Sequence, residues 1–170
     1  MCFATPSGEQ GKSYYNWLMA LLTPEIQNDI KKIFEELTSD VRLLFFTQHV
    51  SPLVIPGREQ DCPTCEDTRT LLEEVAALSD KLHLEIHEVS AGSEIAREYG
   101  IDRVPALIMI ADGVKGKVRY FGLPAGYEFS VLLGSLVDVS KAEPDLSEDT
   151  MKVLDTLDKD LHFQVFVTPT

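Results

Sequence analysis

The sequence predicts an α/β domain in which a parallel β-α-β unit precedes an antiparallel hairpin and a final helix. Apolar stripes at helical spacing alternate with short β-prone runs from residue 23 to residue 139, and a tight Asp112-Gly113 turn separates the last two runs. The chain has 170 residues, of which 44% are hydrophobic and 25% are charged, so its composition is that of a globular protein.

The first predicted elements are a helix and a buried strand. Thr23 can cap the helix with its side-chain oxygen, and Pro24 suits the first helical position. The helix is predicted to end near residues 38–39, because one face carries an apolar stripe as far as that point: Ile26, Ile30, Ile33, Phe34 and Leu37. Residues 41–46 form a short, apolar, β-prone run that predicts a buried strand.

A loop, a second helix and a second strand follow. Residues 49–61 contain two prolines and a glycine, which predicts a loop. A helix is then predicted to begin around Cys62, with an apolar stripe of Leu71, Leu72, Val75, Ala76 and Leu78. Residues 82–86 alternate between apolar and polar side chains, which is the period of a strand.

The second half of the domain contains the short helix, the hairpin and the final helix. Gly100 closes the helix predicted over residues 93–99. Residues 106–111 and 117–121 are the two hairpin strands, and residues 127–139 form the last helix of the domain. The resulting order, β-α-β-α-β-β-α, is that of the thioredoxin fold.

Three segments are predicted along the chain: an N-terminal extension (1–22), the thioredoxin-like domain (23–140) and a trailing segment (141–170). The trailing segment contains a linker, a helix capped by Ser147 and a strand over residues 162–167. The aromatic residues of the extension, Tyr14, Tyr15 and Trp17, mark either a partner contact or packing against the domain.

Charge and cysteine content restrict the class of protein. A net charge of −13 argues against nucleic acid or an anionic membrane surface as a partner. No run of 18 apolar residues predicts a membrane span. The chain has only three cysteines, fewer than a secreted disulfide scaffold carries, so we expect a cytoplasmic protein.

Cys62-Pro63-Thr64-Cys65 at the start of the second helix is the strongest functional signal. A thiolate is the attacking species in disulfide exchange, and the N-terminus of a helix stabilises that anion. We therefore expect Cys62 to be exposed and to be the nucleophile. Cys65, one turn inside the helix, is expected to be more buried and to resolve the mixed disulfide.

Val104-Pro105 precedes the third predicted strand, and a bond of this type can be cis. In a thioredoxin fold, a cis-proline faces the cysteine pair and leaves the preceding backbone free. Val104 and Pro105 are therefore the predicted substrate-binding residues, with the backbone of Val104 pairing with an extended substrate.

Three stretches, residues 68–81, 98–106 and 120–129, resemble the glutaredoxin-like protein disulfide oxidoreductases, which contain two thioredoxin units in tandem. The resemblance covers residues 24–170. It implies disulfide-containing protein substrates, electrons from a thioredoxin-reductase-like flavoprotein and no organic or metal cofactor. The N-terminal domain of the alkyl hydroperoxide reductase flavoprotein has a similar tandem plan, but its first unit lacks the cysteines.

The sequence departs from the family pattern at three places. Residues 49–61 are an insertion before the first cysteine, and residues 1–22 have no counterpart in the family. Residues 163–170 resemble the first strand of a second unit, whose cysteines would follow at once. We therefore expect either a fragment or a truncated gene product.

Alternatives to disulfide exchange remain open. The two cysteines could form half of a zinc site, completed from Cys2 and the four histidines. His83, Glu85 and His87 share one strand face, as a metal triad or as a solvent-facing row. The cysteine pair could also be inert, in a domain that serves as a docking module of a larger redox protein.

Overall fold

The structure is a computed structural model and describes residues 21–48, 62–89, 93–143 and 146–166. Within these ranges the helices are α1 (Pro24–Phe34), α2 (Cys65–Ala76), α3 (Glu94–Tyr99), α4 (Tyr127–Lys141) and α5 (Glu148–Leu154). The strands are β1 (Val41–Thr47), β2 (Leu82–Glu88), β3 (Ala106–Ala111) and β4 (Val118–Phe121).

The four strands form one sheet in the order β2-β1-β3-β4. Strand β1 pairs in parallel with β2 and antiparallel with β3, and β3 pairs antiparallel with β4. Phe45, in the middle of β1, lies between Ile86 of β2 and Leu107 of β3. This arrangement confirms the predicted thioredoxin-like fold.

Both faces of the central strands are covered. The larger core cluster joins one face of the sheet to α1, α2 and α4, and Leu43, Phe45 and Met109 supply the sheet side. A smaller cluster on the other face contains Leu44 and Phe46, against which residues of α3 pack. Because β1 is buried on both sides, its sequence is continuously apolar rather than alternating.

Helix α1 begins as predicted and ends earlier than predicted. The Ile26 N–H donates to the Thr23 hydroxyl oxygen, which is the expected cap. The helix ends at Phe34 rather than near residues 38–39, because the chain turns toward the end of α4. There the hydroxyls of Thr38 and Ser39 both donate to the Ser140 carbonyl, each at 2.6 Å.

The trailing segment contains the predicted capped helix but not the predicted strand. Ser147 accepts the Thr150 N–H at the start of α5. Residues 162–166 are not a strand, and Phe163 and Phe166 are 80% and 88% exposed. A strand requires a neighbouring strand for its backbone hydrogen bonds, and within the described ranges this segment has none. The division into three segments remains a prediction.

Two further sequence predictions concern residues outside the described ranges. The loop over residues 49–61 lies there entirely, as do residues 1–20 of the extension. Every helix of the described ranges is too short or too polar to cross a lipid bilayer.

Candidate functional site

Cys62 and Cys65 are joined by a disulfide at the N-terminus of α2. Their Cα atoms are 5.5 Å apart, and Cys65 is the first residue of the helix. The helix therefore begins three residues later than predicted, because residues 63–64 form a turn between the two cysteines. Thr64 at the N-cap makes no side-chain capping hydrogen bond, so no side chain at that position competes for the first helical N–H groups.

The first turn of α2 is held by Thr68, which lies on the buried face of the helix. Its backbone N–H donates to the Thr64 carbonyl at 3.0 Å, and its hydroxyl donates to the same oxygen at 2.7 Å. This double contact ties the turn between the cysteines to the body of the helix.

The prediction that Cys62 is exposed is wrong. Cys62 is 3% exposed and Cys65 is 0% exposed, so both are buried and Cys65 only slightly more so. A position just before a helix predicts proximity to the helix dipole, but solvent access depends on tertiary neighbours, which sequence spacing does not report. A substrate must therefore gain access to a buried sulfur.

Val104 and Pro105 lie at the same edge of the sheet as the start of α2. The peptide bond between them is cis, Pro105 is buried and Val104 is half-buried. Ala106, the next residue, pairs with Phe46 near the end of β1, which is the edge from which the chain continues toward Cys62. Topology thus brings the predicted substrate residues and the cysteine pair to one edge.

The backbone around Pro105 is only partly engaged. The Gly122 N–H donates to the Pro105 carbonyl at 2.9 Å, which joins this turn to the end of β4. Among the described residues, no backbone group bonds to the N–H or the carbonyl of Val104. These two groups are therefore the ones with which an extended peptide could pair.

Charge near the cysteines is negative and exposed. Glu66 and Asp67 occupy the first turn of α2, while Arg58, Glu59 and Asp61 lie outside the described ranges. The only buried polar residues of the described part are Thr47, Thr68 and Ser140, none of which titrates near neutral pH. The α2 N-terminus is therefore the feature here that favours a thiolate, and the two acids oppose it.

An apolar groove of about 370 Å³ lies beside this edge and was not predicted from the sequence. Three segments far apart in the chain form its walls: Leu21 and Leu22, then Asp67 and Leu71 of α2, then Leu123, Pro124, Ala125, Gly126 and Phe129. One sequence signal was present, an apolar Leu-Pro-Ala between two glycines at 122 and 126, but it indicated only a chain break.

The row of His83, Glu85 and His87 on β2 forms ion-pair and ring contacts. Both Glu85 oxygens accept from the Arg42 guanidinium, at 2.7 and 3.1 Å, and this hydrogen bond lowers the pKa of Glu85. His87 stacks on Phe46 with ring centroids 5.3 Å apart. No group of three metal-ligating side chains occurs in the described ranges.

Comparison with known proteins identifies the domain type. A family model described as a thioredoxin domain matches residues 54–134, a stretch that contains both cysteines and Val104-Pro105. Among solved structures, a protein disulfide oxidoreductase from Aeropyrum pernix superposes with a TM-score of 0.63 at 23% identity, covering 79% of this chain and 55% of the other.

A second similar structure is the alkyl hydroperoxide reductase AhpF from Enterococcus faecalis, with a TM-score of 0.61 at 21% identity. It covers 80% of this chain and 61% of that one. Together with the domain match, these likenesses confirm the thioredoxin fold and the predicted resemblance to tandem thioredoxin-fold proteins.

Curated relatives are considerably longer than this chain. An alkyl hydroperoxide reductase of the same type from Xanthomonas campestris pv. phaseoli is 26% identical over 68% of this chain and 20% of its own length. An NADH dehydrogenase from Ferdinandcohnia aciditolerans is 20% identical over 87% of this chain and 24% of its own length. The chain therefore spans about a fifth to a quarter of the relatives it matches, and the comparisons support a redox role for the domain.

Proposed function

We propose that this thioredoxin-fold protein is a glutaredoxin-like thiol–disulfide oxidoreductase that exchanges disulfides with protein substrates. The observation that carries the proposal is the Cys62–Cys65 disulfide at the N-terminus of α2. Two thiols in this position can close a short disulfide and pass it to another protein.

In the reducing direction, the Cys62 thiolate attacks one sulfur of the substrate disulfide. A mixed disulfide forms, and the first substrate sulfur leaves as a thiolate that takes a proton from water. Cys65 then loses its proton and attacks the Cys62 sulfur, which breaks the mixed disulfide and releases the second substrate thiolate. Two electrons and two protons pass to the substrate, and the Cys62–Cys65 disulfide remains. The oxidising direction is the reverse.

The order of attack follows from position in the helix. Cys62 precedes α2, so its sulfur can meet the unpaired N–H groups, whereas Cys65 is fully buried as the first helical residue. Because Cys62 is itself 3% exposed, substrate binding must uncover it.

Val104 and Pro105 are proposed to position the substrate. The Val104 N–H and carbonyl make no backbone hydrogen bond to the described residues, at the edge of the sheet where α2 also begins. An extended substrate segment that pairs with them would run past the cysteine pair, and main-chain pairing would accept many substrate sequences.

The proposed partners are disulfide-containing proteins and a thioredoxin-reductase-like flavoprotein that returns electrons to the disulfide. The similarity to alkyl hydroperoxide reductases and to NADH dehydrogenases supports a reductase-type partner. We place this activity in cell redox homeostasis in the cytoplasm, because three cysteines are few for an oxidising compartment.

A second candidate function is a docking module with an inert cysteine pair. The burial of Cys62 favours it, because a nucleophile that substrates cannot reach does not exchange. In this case the disulfide would be a structural link, and the domain would bind a partner without transferring electrons.

A redox titration separates the two functions. The purified chain is equilibrated in thiol/disulfide buffers, and the oxidation of Cys62 and Cys65 is read by alkylation and intact mass, with Cys2→Ser as the background. Exchange predicts a reversible two-electron transition between about −270 and −120 mV, the span of known exchange enzymes. A pair that never closes, or that stays closed far below about −300 mV, would establish the docking module instead.

A further inference from the structure

The first residues that the structure describes form one wall of the apolar groove. Leu21 and Leu22 line it, and the Glu74 carboxylate of α2 clamps both residues: their backbone N–H groups donate to its two oxygens at 2.7 and 2.9 Å. Leu22 is 6% exposed, and its carbonyl accepts from the Gln27 side chain. The chain therefore enters the domain from a fixed point at the rim of the groove.

The nine groove residues include one charged side chain, Asp67, and the others are apolar or glycine. The groove volume of about 370 Å³ is within the range of sites that enclose large apolar groups. Such a groove on a domain surface is a binding surface by default. Its occupant is the question.

The residues immediately before the rim are suited to fill it. Residues 14–20 read Tyr-Tyr-Asn-Trp-Leu-Met-Ala, with no charge and one amide. Trp17 precedes Leu21 by four residues, so its Cα stays within about 14 Å of the Leu21 Cα even in a fully extended chain. A tether this short gives an effective concentration on the order of millimolar, which favours this segment over a separate molecule.

We propose that residues 14–19 dock in the apolar groove of their own chain and cover the surface beside the cysteine pair. The groove walls start at the site: Asp67 is in the first turn of α2, and Leu123 follows Gly122, which donates to the Pro105 carbonyl. The docked segment therefore competes with a substrate for this surface. The docking is independent of the redox proposal, and only the competition rests on the proposed function.

The test uses Trp17, the single tryptophan of the chain, as a probe. Quenching of its fluorescence by acrylamide is measured in the unmodified protein and in two variants. Ala125→Glu places a carboxylate at an exposed position of the groove, near Asp67. Its matched control is Ala77→Glu, which adds the same group at the exposed C-terminal end of α2. Circular dichroism verifies that each variant is folded.

Docking predicts a protected Trp17 in the unmodified chain and in Ala77→Glu, and a several-fold larger quenching constant in Ala125→Glu. Leu18→Asp, which alters the segment and leaves every groove residue intact, should release Trp17 equally. The proposal is overturned if Trp17 is quenched like free tryptophan amide, or if Ala125→Glu matches its control. Protection that disappears on dilution would also overturn it, since the occupant would then belong to a second copy.

The same measurement is repeated on Cys62→Ala/Cys65→Ala, which cannot exchange disulfides. Protection of Trp17 should persist in this variant, because no groove residue is a cysteine. A failure of disulfide exchange thus leaves the docking result unaffected, and the two proposals fail separately.

Discussion

Val104 contributes to the proposed mechanism through its backbone rather than through its half-buried side chain. We expect Val104→Pro, which removes the N–H, to lower kcat/KM for a protein disulfide about fivefold, the effect of one lost hydrogen bond of about 1 kcal/mol. Val104→Ala keeps the N–H and is the control.

Reaction of each Val104 variant with a small dithiol reports whether the cysteines themselves are intact. If Val104→Pro slowed the dithiol and the protein substrate equally, the change would act on the cysteine pair, and backbone pairing with the substrate would be refuted.

Glu85 on β2 gives a pH-dependent prediction. Its hydrogen bond with Arg42 lowers its pKa in the folded state below the ordinary value of 4.5. The pair therefore stabilises the fold above the unfolded-state pKa, and this stabilisation is lost as the pH falls through the lower folded-state pKa. Because both side chains are 39% exposed or more, the contribution is below about 1 kcal/mol.

Glu85→Gln should accordingly lower the free energy of unfolding at pH 7 by less than about 1 kcal/mol, with the difference from the unmodified chain vanishing in acid. Urea unfolding across the pH range measures this, and a double-mutant cycle with Arg42→Gln isolates the pair. A difference that grows as the pH falls would contradict the assignment.

Gly100 shows how one backbone conformation ends an element. Its φ of +67° closes α3, and the Ile101 N–H donates to the Ala96 carbonyl at 2.7 Å. A Cβ added there would lie 2.9 Å from Arg119 Nη1. We expect Gly100→Ala to destabilise the domain by about 1–2 kcal/mol in urea unfolding, since an L-residue is strained at this φ.

Gly134 is the matched control, because it lies within α4 and a Cβ there meets nothing within 4 Å. Gly134→Ala should instead stabilise the domain by about 0.5–1 kcal/mol, the difference between glycine and alanine inside a helix. Equal effects of the two substitutions would show that side-chain entropy, and not the backbone conformation at Gly100, decides the outcome.

Elements with a periodic apolar face were predictable from sequence, because burial on one side selects the period. The helix over residues 127–139 and the strand over residues 106–111 correspond closely to α4 and β3. The strand over residues 162–167 failed for the complementary reason: β-propensity describes a run, whereas a strand needs a neighbour.

At the scale of the whole molecule, the site was predictable only in part. Cys62, Cys65 and Pro105 carry local signals, and the sheet topology brings them to one edge. The burial of Cys62 and the apolar groove arise from segments distant in the chain, so no local pattern contains them. Tertiary neighbours decide solvent access, and solvent access decides which proposed function holds.

The stability of the reduced chain tests whether the disulfide is a structural link. Linking residues three apart closes a very short loop, which in the chain-entropy model contributes about 2 kcal/mol. Domains of this size are stable by about 5–15 kcal/mol, and the larger core cluster joins α1, α2, α4 and the sheet by packing alone. We therefore expect the reduced chain to stay folded, with a urea midpoint only modestly below that of the oxidised chain.

Urea unfolding with and without dithiothreitol measures this difference, and Cys62→Ala/Cys65→Ala serves as the control because dithiothreitol should leave its midpoint unchanged. A modest difference means that the pair can cycle between its two forms without unfolding the domain, as exchange requires. Cooperative unfolding on reduction would instead make the disulfide part of the fold, and an exchange enzyme that unfolded in half of its catalytic cycle would not function.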